Sequence, residues 1–109
     1  MNKFIYKYKP IPLDYENLPF CGYISIPMNS TILSGAIIDG DIFIYAFVDP
    51  TETAMTRVQI AILPTGDSLT KEDFEILYDK NTKFLGTFVD ESRTKSENPL
   101  VWHVWTRET

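Results

Sequence analysis

The residues of this chain best suited to chemistry lie near its end, in the segment Trp102-His103-Val104-Trp105. This segment holds both tryptophans and the only histidine of the 109 residues. An imidazole can act as a general base near neutral pH, and indole faces stack on nucleobases and cations. In an extended chain His103 and Trp105 point to one side and Trp102 to the other. The two indoles therefore do not stack on each other, and the segment is either a packed strand or a ligand platform.

Several kinds of catalytic and metal site are excluded by composition. One histidine leaves no pair for a two-histidine phosphodiesterase, and no Cys or His partner stands at the spacing of a zinc or two-metal site. The single thiol, Cys21, lies in an apolar context that favours burial over nucleophilic chemistry. His103 has no carboxylate beside it in the sequence that would orient it as a base. We therefore expect a protein that is not an enzyme and that uses no metal or cofactor.

Other residues could hold an anionic ligand. Arg57 is either a solvated surface residue or a fork that grips phosphate. Thr65 and Gly66 form either an ordinary turn or one whose N–H and hydroxyl groups cradle phosphate. The segment 6–8, Tyr-Lys-Tyr, is either an edge strand blunted by lysine or part of a nucleotide site. The candidate ligand-binding residues are Tyr6, Lys7, Tyr8, Arg57, Thr65, Gly66, Trp102, His103, Trp105 and Arg107.

Short segments of alternating residues, bounded by turn residues, must position these side chains. Asp39-Gly40 joins two apolar arms, and this dipeptide supplies the positive φ angles of a two-residue hairpin. The second arm, Ile42 to Val48, is apolar on both faces, so we expect core on one side and another layer or subunit on the other. The seven predicted strands cover residues 4–9, 21–26, 31–38, 42–48, 57–62, 83–89 and 101–106.

The rest of the chain completes the prediction of a mainly β fold. Thr70 to Asp73 resembles a capping box and predicts one short helix of about two to three turns. The polar segment from Asp90 to Asn98 predicts an exposed loop. No internal repeat or domain boundary interrupts residues 1–109, which we expect to form a single β-rich domain. The predicted fold is a small antiparallel β-sandwich or partly open barrel of about seven strands, assembled as a homo-oligomer.

Charge and composition limit the partners and the location. Fifteen acids against ten bases give a net charge of -5, which disfavours duplex nucleic acid and anionic membrane surfaces. The basic residues are unevenly distributed along the chain: Lys3, Lys7 and Lys9 lie in the first nine residues, which contain no acidic residue. The net charge therefore does not exclude a small anionic ligand. The lone cysteine fits a reducing compartment. Without an apolar segment long enough for a signal or a membrane span, we expect the cytoplasm.

Six short motifs stand in order along most of the chain. They are Ile5-Tyr6-Lys7-Tyr8, Thr31-Ile32-Leu33-Ser34 leading to Asp39-Gly40, Tyr45-Ala46-Phe47-Val48-Asp49-Pro50, Thr65-Gly66, Leu85-Gly86-Thr87-Phe88 and His103-Val104-Trp105. In this order and at these spacings the motifs resemble those of a family of short, largely uncharacterised tailed-phage proteins. The resemblance implies a phage accessory protein that acts in the cytoplasm of the infected bacterial host.

Small phage proteins that are oligomeric and lack catalytic groups include sponges, which sequester the cyclic nucleotide messengers of bacterial defence, so we expect a role in immune evasion. We expect an anti-CBASS sponge, which binds a cyclic dinucleotide or trinucleotide such as cyclic GMP-AMP without cleaving it. Such a protein needs aromatic stacking and a few phosphate donors but no general base. A site between the subunits of a dimer or tetramer would also explain the two apolar faces of residues 42–48. The alternative is a protein–protein inhibitor of a host factor or a small virion accessory protein.

Overall fold

A computed structural model of the protein describes residues 2–12, 21–66, 75–90 and 100–108. These residues form eight strands, paired antiparallel in two sheets. In chain order the strands are β1 Phe4–Tyr8, β2 Ile11–Pro12, β3 Cys21–Pro27, β4 Thr31–Ile38, β5 Asp41–Val48, β6 Met55–Pro64, β7 Thr82–Asp90 and β8 Leu100–Glu108. The three-stranded sheet has the order β1-β5-β4, and the five-stranded sheet has the order β2-β3-β6-β8-β7. The mainly β architecture predicted from the sequence is confirmed, whereas the homo-oligomer stays a prediction.

The hydrophobic core lies between the two sheets. Successive side chains of a strand point to opposite faces, and one face of each central strand is branched and apolar. The seven core side chains, from both sheets, are Ile24, Ile26, Ile44, Val58, Ile60, Ile62 and Val104, none more than 5% exposed. Full burial of a side chain of this size contributes about 1.5–3 kcal/mol to folding. This shared cluster is what holds the three-stranded sheet against the five-stranded one.

The hairpin predicted at Asp39-Gly40 is confirmed. Both residues have positive φ, 52° and 82°, and Ile38 pairs with Asp41 across the turn. In β5 the side chains of Ile44, Ala46 and Val48 are fully buried. The alternate side chains point away from this core, and no other layer of the described chain covers them. The predicted core side of this strand is thus confirmed, while its covering by a subunit stays a prediction.

The first strand is shorter than predicted, and the chain then changes sheets. β1 ends at Tyr8, and the two-residue strand β2 pairs with β3 in the other sheet. Pro12 belongs to this pairing, although proline normally stops a strand. An edge strand such as β2 can hold a proline, because the N–H groups on its outer side make no ladder hydrogen bond. Pro10 lies between these two strands, which belong to different sheets.

Two local predictions need revision. The short helix is not confirmed, because residues 70–74 lie outside the described part and the following Glu75–Tyr78 forms a single 3-10 turn. Asp90, predicted to begin an exposed loop, is instead the last residue of β7 and is only 2% exposed. Its pairing with Leu100 of β8 extends the ladder by one residue. The rest of the predicted loop, residues 91–98, lies outside the described residues.

The edges of the two sheets approach each other where β4 passes β7. A Cβ added to Gly35 would lie 3.1 Å from the carbonyl oxygen of Phe43 and 3.3 Å from Cζ of Phe88. A Cβ added to Gly86 would lie 3.0 Å from the same Phe88 atom. The ring of Phe88 therefore occupies the space that side chains at these two glycines would need. A side chain at either position would therefore force Phe88 or the neighbouring backbone to shift by a few tenths of an ångström.

Candidate functional site

The structure distributes the predicted ligand-binding residues over three places and does not bring the two chain ends together. Trp102 lies on the core side of β8, where it packs against the core cluster. The segment 6–8 belongs to β1 in the three-stranded sheet. The remaining predicted residues lie on the outer face of the five-stranded sheet, or in the turn at its end; they are Arg57, Thr65, Gly66, His103, Trp105 and Arg107.

His103 is held between two hydroxyl groups. Its Nε2 lies 2.7 Å from Oγ1 of Thr65, and its Nδ1 lies 3.0 Å from Oγ1 of Thr87. One ring nitrogen of a neutral imidazole donates and the other accepts, and hydroxyl groups can serve both. Thr65 is tied further, because its backbone N–H donates to the carbonyl oxygen of Val101 at 2.9 Å. This arrangement orients the imidazole and links β8 to β7 and to the turn after β6. It engages the Thr65 hydroxyl, for which the sequence left open an ordinary turn or a phosphate site.

Arg107 is engaged by groups of the protein itself. Its Nε donates to Oε1 of Gln59 at 2.6 Å, and its Nη1 lies 3.1 Å from Oδ2 of Asp79. The backbone N–H of Asn81 donates to Asp79, and together with the nearby guanidinium it lowers the pKa of this carboxyl below its ordinary value. The guanidinium group therefore fixes the 3-10 turn to the sheet. A phosphate would have to compete with this ionised carboxylate.

The two tryptophans lie on opposite faces of β8, as predicted. The ring of Trp105 is 5.3 Å from that of Phe84, at 59°, and Trp105 packs with Leu77 against a small cluster that includes buried Cys21. Burial raises the pKa of the Cys21 thiol above its ordinary value. Both indoles thus serve packing within the described chain. Trp105, only partly buried, keeps some surface for a ligand.

The geometry around Arg57 and Gly66 gives little support for a ligand-binding site. The guanidinium carbon of Arg57 lies 4.1 Å from the ring centroid of Tyr23, a cation–π contact on the outer face of the five-stranded sheet. Gly66 has a φ of 97° and nothing within 4 Å of an added Cβ, so its backbone is exposed in an open turn. Arg57 lies near the start of β6 and Gly66 just beyond its end, so the two residues do not share a site.

The segment 6–8 divides between the two faces of β1. Tyr6 and Tyr8 point to the core side, where Tyr8 packs against the core cluster and burial raises its pKa above the ordinary value. Lys7 points to the opposite, outer side. There its Nζ lies 4.7 Å from the ring centroid of Phe43 on the neighbouring strand. Lys7 therefore meets a ring of β5 and not the tyrosines beside it in the sequence.

The outer side of the three-stranded sheet carries a row of rings. We define the aromatic-lysine face as the six residues Lys3, Ile5, Lys7, Phe43, Tyr45 and Phe47. Phe47 is 38% exposed and Ile5 is 63% exposed. Nζ of Lys3 lies 5.8 Å from the ring centroid of Phe47, so the row has a lysine over a ring at each end. Among the described residues no acidic group is paired with Lys7.

Lys7 was predicted from the sequence as a ligand-binding residue, whereas the rings of this face were not. The sequence shows that residues 42–48 are apolar on both sides and that lysines cluster in the first nine residues. It does not show the pairing of β1 with β5, which places Ile5 beside Phe47 and Lys7 beside Tyr45. Strands distant in sequence meet here, and only that meeting turns two separate patterns into one surface.

The part of the chain that the structure describes holds no metal-ligand cluster and no membrane-spanning helix. No group of three or more His, Cys, Asp or Glu residues there is placed to hold a metal ion. That part also contains no helix with the length and apolar character needed to cross a membrane.

Comparison with known proteins identifies a family and nothing more specific. No curated protein and no solved structure matches the chain. One family matches over residues 1–109, the whole sequence, and it is described as a domain of unknown function, DUF7352. The chain belongs to this domain family.

Proposed function

We propose that the protein binds a cyclic oligonucleotide on the aromatic-lysine face and releases it unchanged. In this proposal it is a phage immune-evasion protein, which sequesters an immune signal such as cyclic GMP-AMP in the cytoplasm of the infected bacterium and blocks CBASS-type defence. The observation that supports the proposal most is the pair of lysines, Lys3 and Lys7, placed over the end rings of an exposed aromatic row.

The spacing of the rings suits stacked bases. Phe43, Tyr45 and Phe47 are alternate residues of one strand, so their Cα atoms are about 7 Å apart. That separation leaves room for a flat base to rest on a ring or to enter between two rings. Stacking of a base on an aromatic side chain contributes about 1–3 kcal/mol. Two such stacking contacts would contribute about 2–6 kcal/mol together, and contacts of the two lysines with phosphate groups would add to this.

The charges of the face favour a ligand between two copies of the protein over direct self-association. Burial of exposed rings and of Ile5 against a second copy would be favourable. The same docking would bring Lys3 and Lys7 of both copies together, which is unfavourable for like charges in a partly desolvated interface. A cyclic dinucleotide carries two phosphates and two bases, so it neutralises lysines and covers rings at once. We therefore expect dimers to form when the ligand is present.

The groups on this face bind phosphate but are poor at cleaving it. Next to the rings lie the exposed hydroxyl-bearing residues Thr31 and Ser34, which pair with Phe47 and Tyr45 across the strands. Neither is accompanied by an imidazole, since His103 lies on the other sheet. Hydrolysis would need a base within hydrogen-bond reach of the attacking oxygen. Bound nucleotide recovered intact after long incubation would agree with sequestration, and recovered product would contradict it.

Thermal melting with a panel of nucleotides tests the proposal. The panel contains cyclic dinucleotides, cyclic trinucleotides and cyclic ADP-ribose isomers, each added at increasing concentration. A ligand present at 100 times its Kd should add about 2.7 kcal/mol of stability. Lys7→Glu should remove this effect, because it replaces a phosphate-binding cation by an anion. Phe43→Ala should weaken binding by about fivefold or more, because it removes one stacking contact with a base.

Lys83→Glu is the matched control, since it makes the same charge change on β7 of the other sheet. It should leave the ligand-induced shift unchanged. The absence of a shift with every nucleotide would overturn the proposal, and so would equal loss in Lys7→Glu and Lys83→Glu.

A further inference from the structure

A cleft of about 910 Å³ lies between the edges of the two sheets. None of the six residues of the aromatic-lysine face lines it, although Thr31, which pairs with Phe47, does. One wall is formed by Thr31, Ile32 and Leu33 of β4, and the other by residues 83–85 of β7. Thr56 of β6 and Thr106 of β8 also line it, and Thr106 is buried at its base. None of the predicted ligand-binding residues lines this cleft.

Both walls of the cleft are edge strands. β4 ends the order of the three-stranded sheet, and β7 ends that of the five-stranded sheet. Three consecutive residues of each strand line the cleft, although consecutive side chains point to opposite faces. The cleft therefore meets each strand at its edge, where N–H and C=O groups of the backbone face outwards. No backbone hydrogen bond among the described residues joins β4 to β7.

A β-bulge on each strand opens the cleft. The register shifts between Ile32 and Ser34 in β4, and between Phe84 and Gly86 in β7. The extra residues are Leu33 and Leu85, and both line the cleft. Bulges bend a strand and redirect its side chains, often beside binding sites. Further along, the two strands converge on Phe88, so the gap is open at one end and closed at the other.

The side chains of the cleft combine apolar surface with positive charge. Leu33 is 45% exposed, and Ile32 and Leu85 lie beside it as half-buried apolar residues. Lys80 and Lys83 stand at the mouth, and Glu108 is the acidic residue that lines it. In a molecule with a net charge of -5, this local excess of lysine favours an acidic partner.

We propose that the cleft binds an extended acidic peptide segment of a partner protein, which adds as a strand between β4 and β7. Backbone hydrogen bonds to the two edges would supply affinity, and pockets for alternate side chains would supply selectivity, as in other strand-addition complexes. Apolar residues of the peptide would pack on Leu33 and Leu85, and its acidic residues would meet the lysines. A second copy of this chain is disfavoured at these edges, because it would bring the same lysines opposite one another.

Selection from a displayed library of random seven-residue peptides, carried out on the full-length protein, tests this inference. We expect enrichment of peptides that alternate apolar and acidic residues. A selected peptide, synthesised and labelled, should bind the wild-type protein and lose at least tenfold in affinity with the double variant Lys80→Glu/Lys83→Glu. The control Lys9→Glu changes a lysine that pairs with Asp41 of β5 at 3.3 Å and does not line the cleft, so it should bind like wild type.

Amide hydrogen exchange then locates the bound peptide. Addition of a strand should slow exchange by tenfold or more at the outward-facing amides among residues 31–33 and 83–85, because these N–H groups become hydrogen-bonded. Enrichment of no peptide would overturn the inference, as would a selected peptide whose affinity is unchanged in the double variant or that leaves these amides unprotected. Lys7→Glu does not touch this cleft, so failure here is distinguishable from failure of the proposed nucleotide site.

Discussion

The two faces of β5 should respond very differently to truncation. Ile44 is fully buried between the sheets. Phe47, three residues further along the same strand, points outwards and is 38% exposed. Ile44→Ala removes a buried side chain and leaves a cavity, which costs about 2–5 kcal/mol. Phe47→Ala removes a larger side chain that is only partly covered, so we expect a loss of about 1 kcal/mol, mainly from strand propensity and neighbour contacts.

Urea unfolding followed by tryptophan fluorescence measures this difference. With a slope of about 1–3 kcal/mol per molar urea, a loss of 3 kcal/mol lowers the midpoint by about 1–3 M for Ile44→Ala. Phe47→Ala should lower it by less than half as much. The comparison is repeated at two protein concentrations tenfold apart, because the midpoint of a dimer rises with concentration. Equal losses for the two variants at both concentrations would refute the assignment of inner and outer faces.

Three further results are expected. Gly35→Ala should destabilise the protein by about 1–3 kcal/mol in the same assay, since its Cβ would press on Phe88 and on a backbone oxygen; an unchanged midpoint would contradict this. Asp79→Asn should be less stable than wild type at pH 7, and the difference should shrink as pH falls below about 3.9, because a lowered carboxyl pKa contributes stability that is lost on protonation. A constant difference from pH 7 to pH 3 would contradict it. Cys21 should react with a thiol reagent at pH 8 only after addition of urea, since burial raises its pKa and blocks access; rapid labelling of the folded protein would contradict it.

Local sequence patterns were enough to predict most strands. Alternation identified segments such as 42–48 and 101–106, and the positive φ angles of Asp39-Gly40 fix the hairpin between β4 and β5. These features depend on residues near in sequence, where side-chain period and turn chemistry act directly. The strand β2 was missed because Pro12 is acceptable only at a sheet edge, and edge position is a property of the whole sheet.

The predicted site failed to come together for a related reason. Sequence analysis grouped aromatic and basic residues by their closeness along the chain, as in Trp102-His103-Trp105 and the segment 6–8. A strand sends neighbouring residues to opposite faces, so each group is divided when the strand enters a sheet. Partners then come from other strands, as Lys7 meets Phe43 and His103 meets Thr65. The register between distant strands decides these contacts, and no local pattern encodes it.

The bulges were equally hidden from sequence analysis. Leu33 and Leu85 look like ordinary apolar strand residues, yet each is the extra residue of a register shift. A bulge is defined by mismatch with a partner strand, so it becomes visible only once the partner is known. The cleft between β4 and β7 depends on both shifts together.

Native mass spectrometry of the protein mixed with the cyclic nucleotide panel tests the central claim most directly, because it reports the number of subunits and the bound ligand in one spectrum. For the wild-type protein we expect a species of two chains with retained nucleotide, and for Lys7→Glu we expect free chains under the same conditions. Wild-type spectra without bound nucleotide at any concentration, or nucleotide retained equally by Lys7→Glu, would contradict the account.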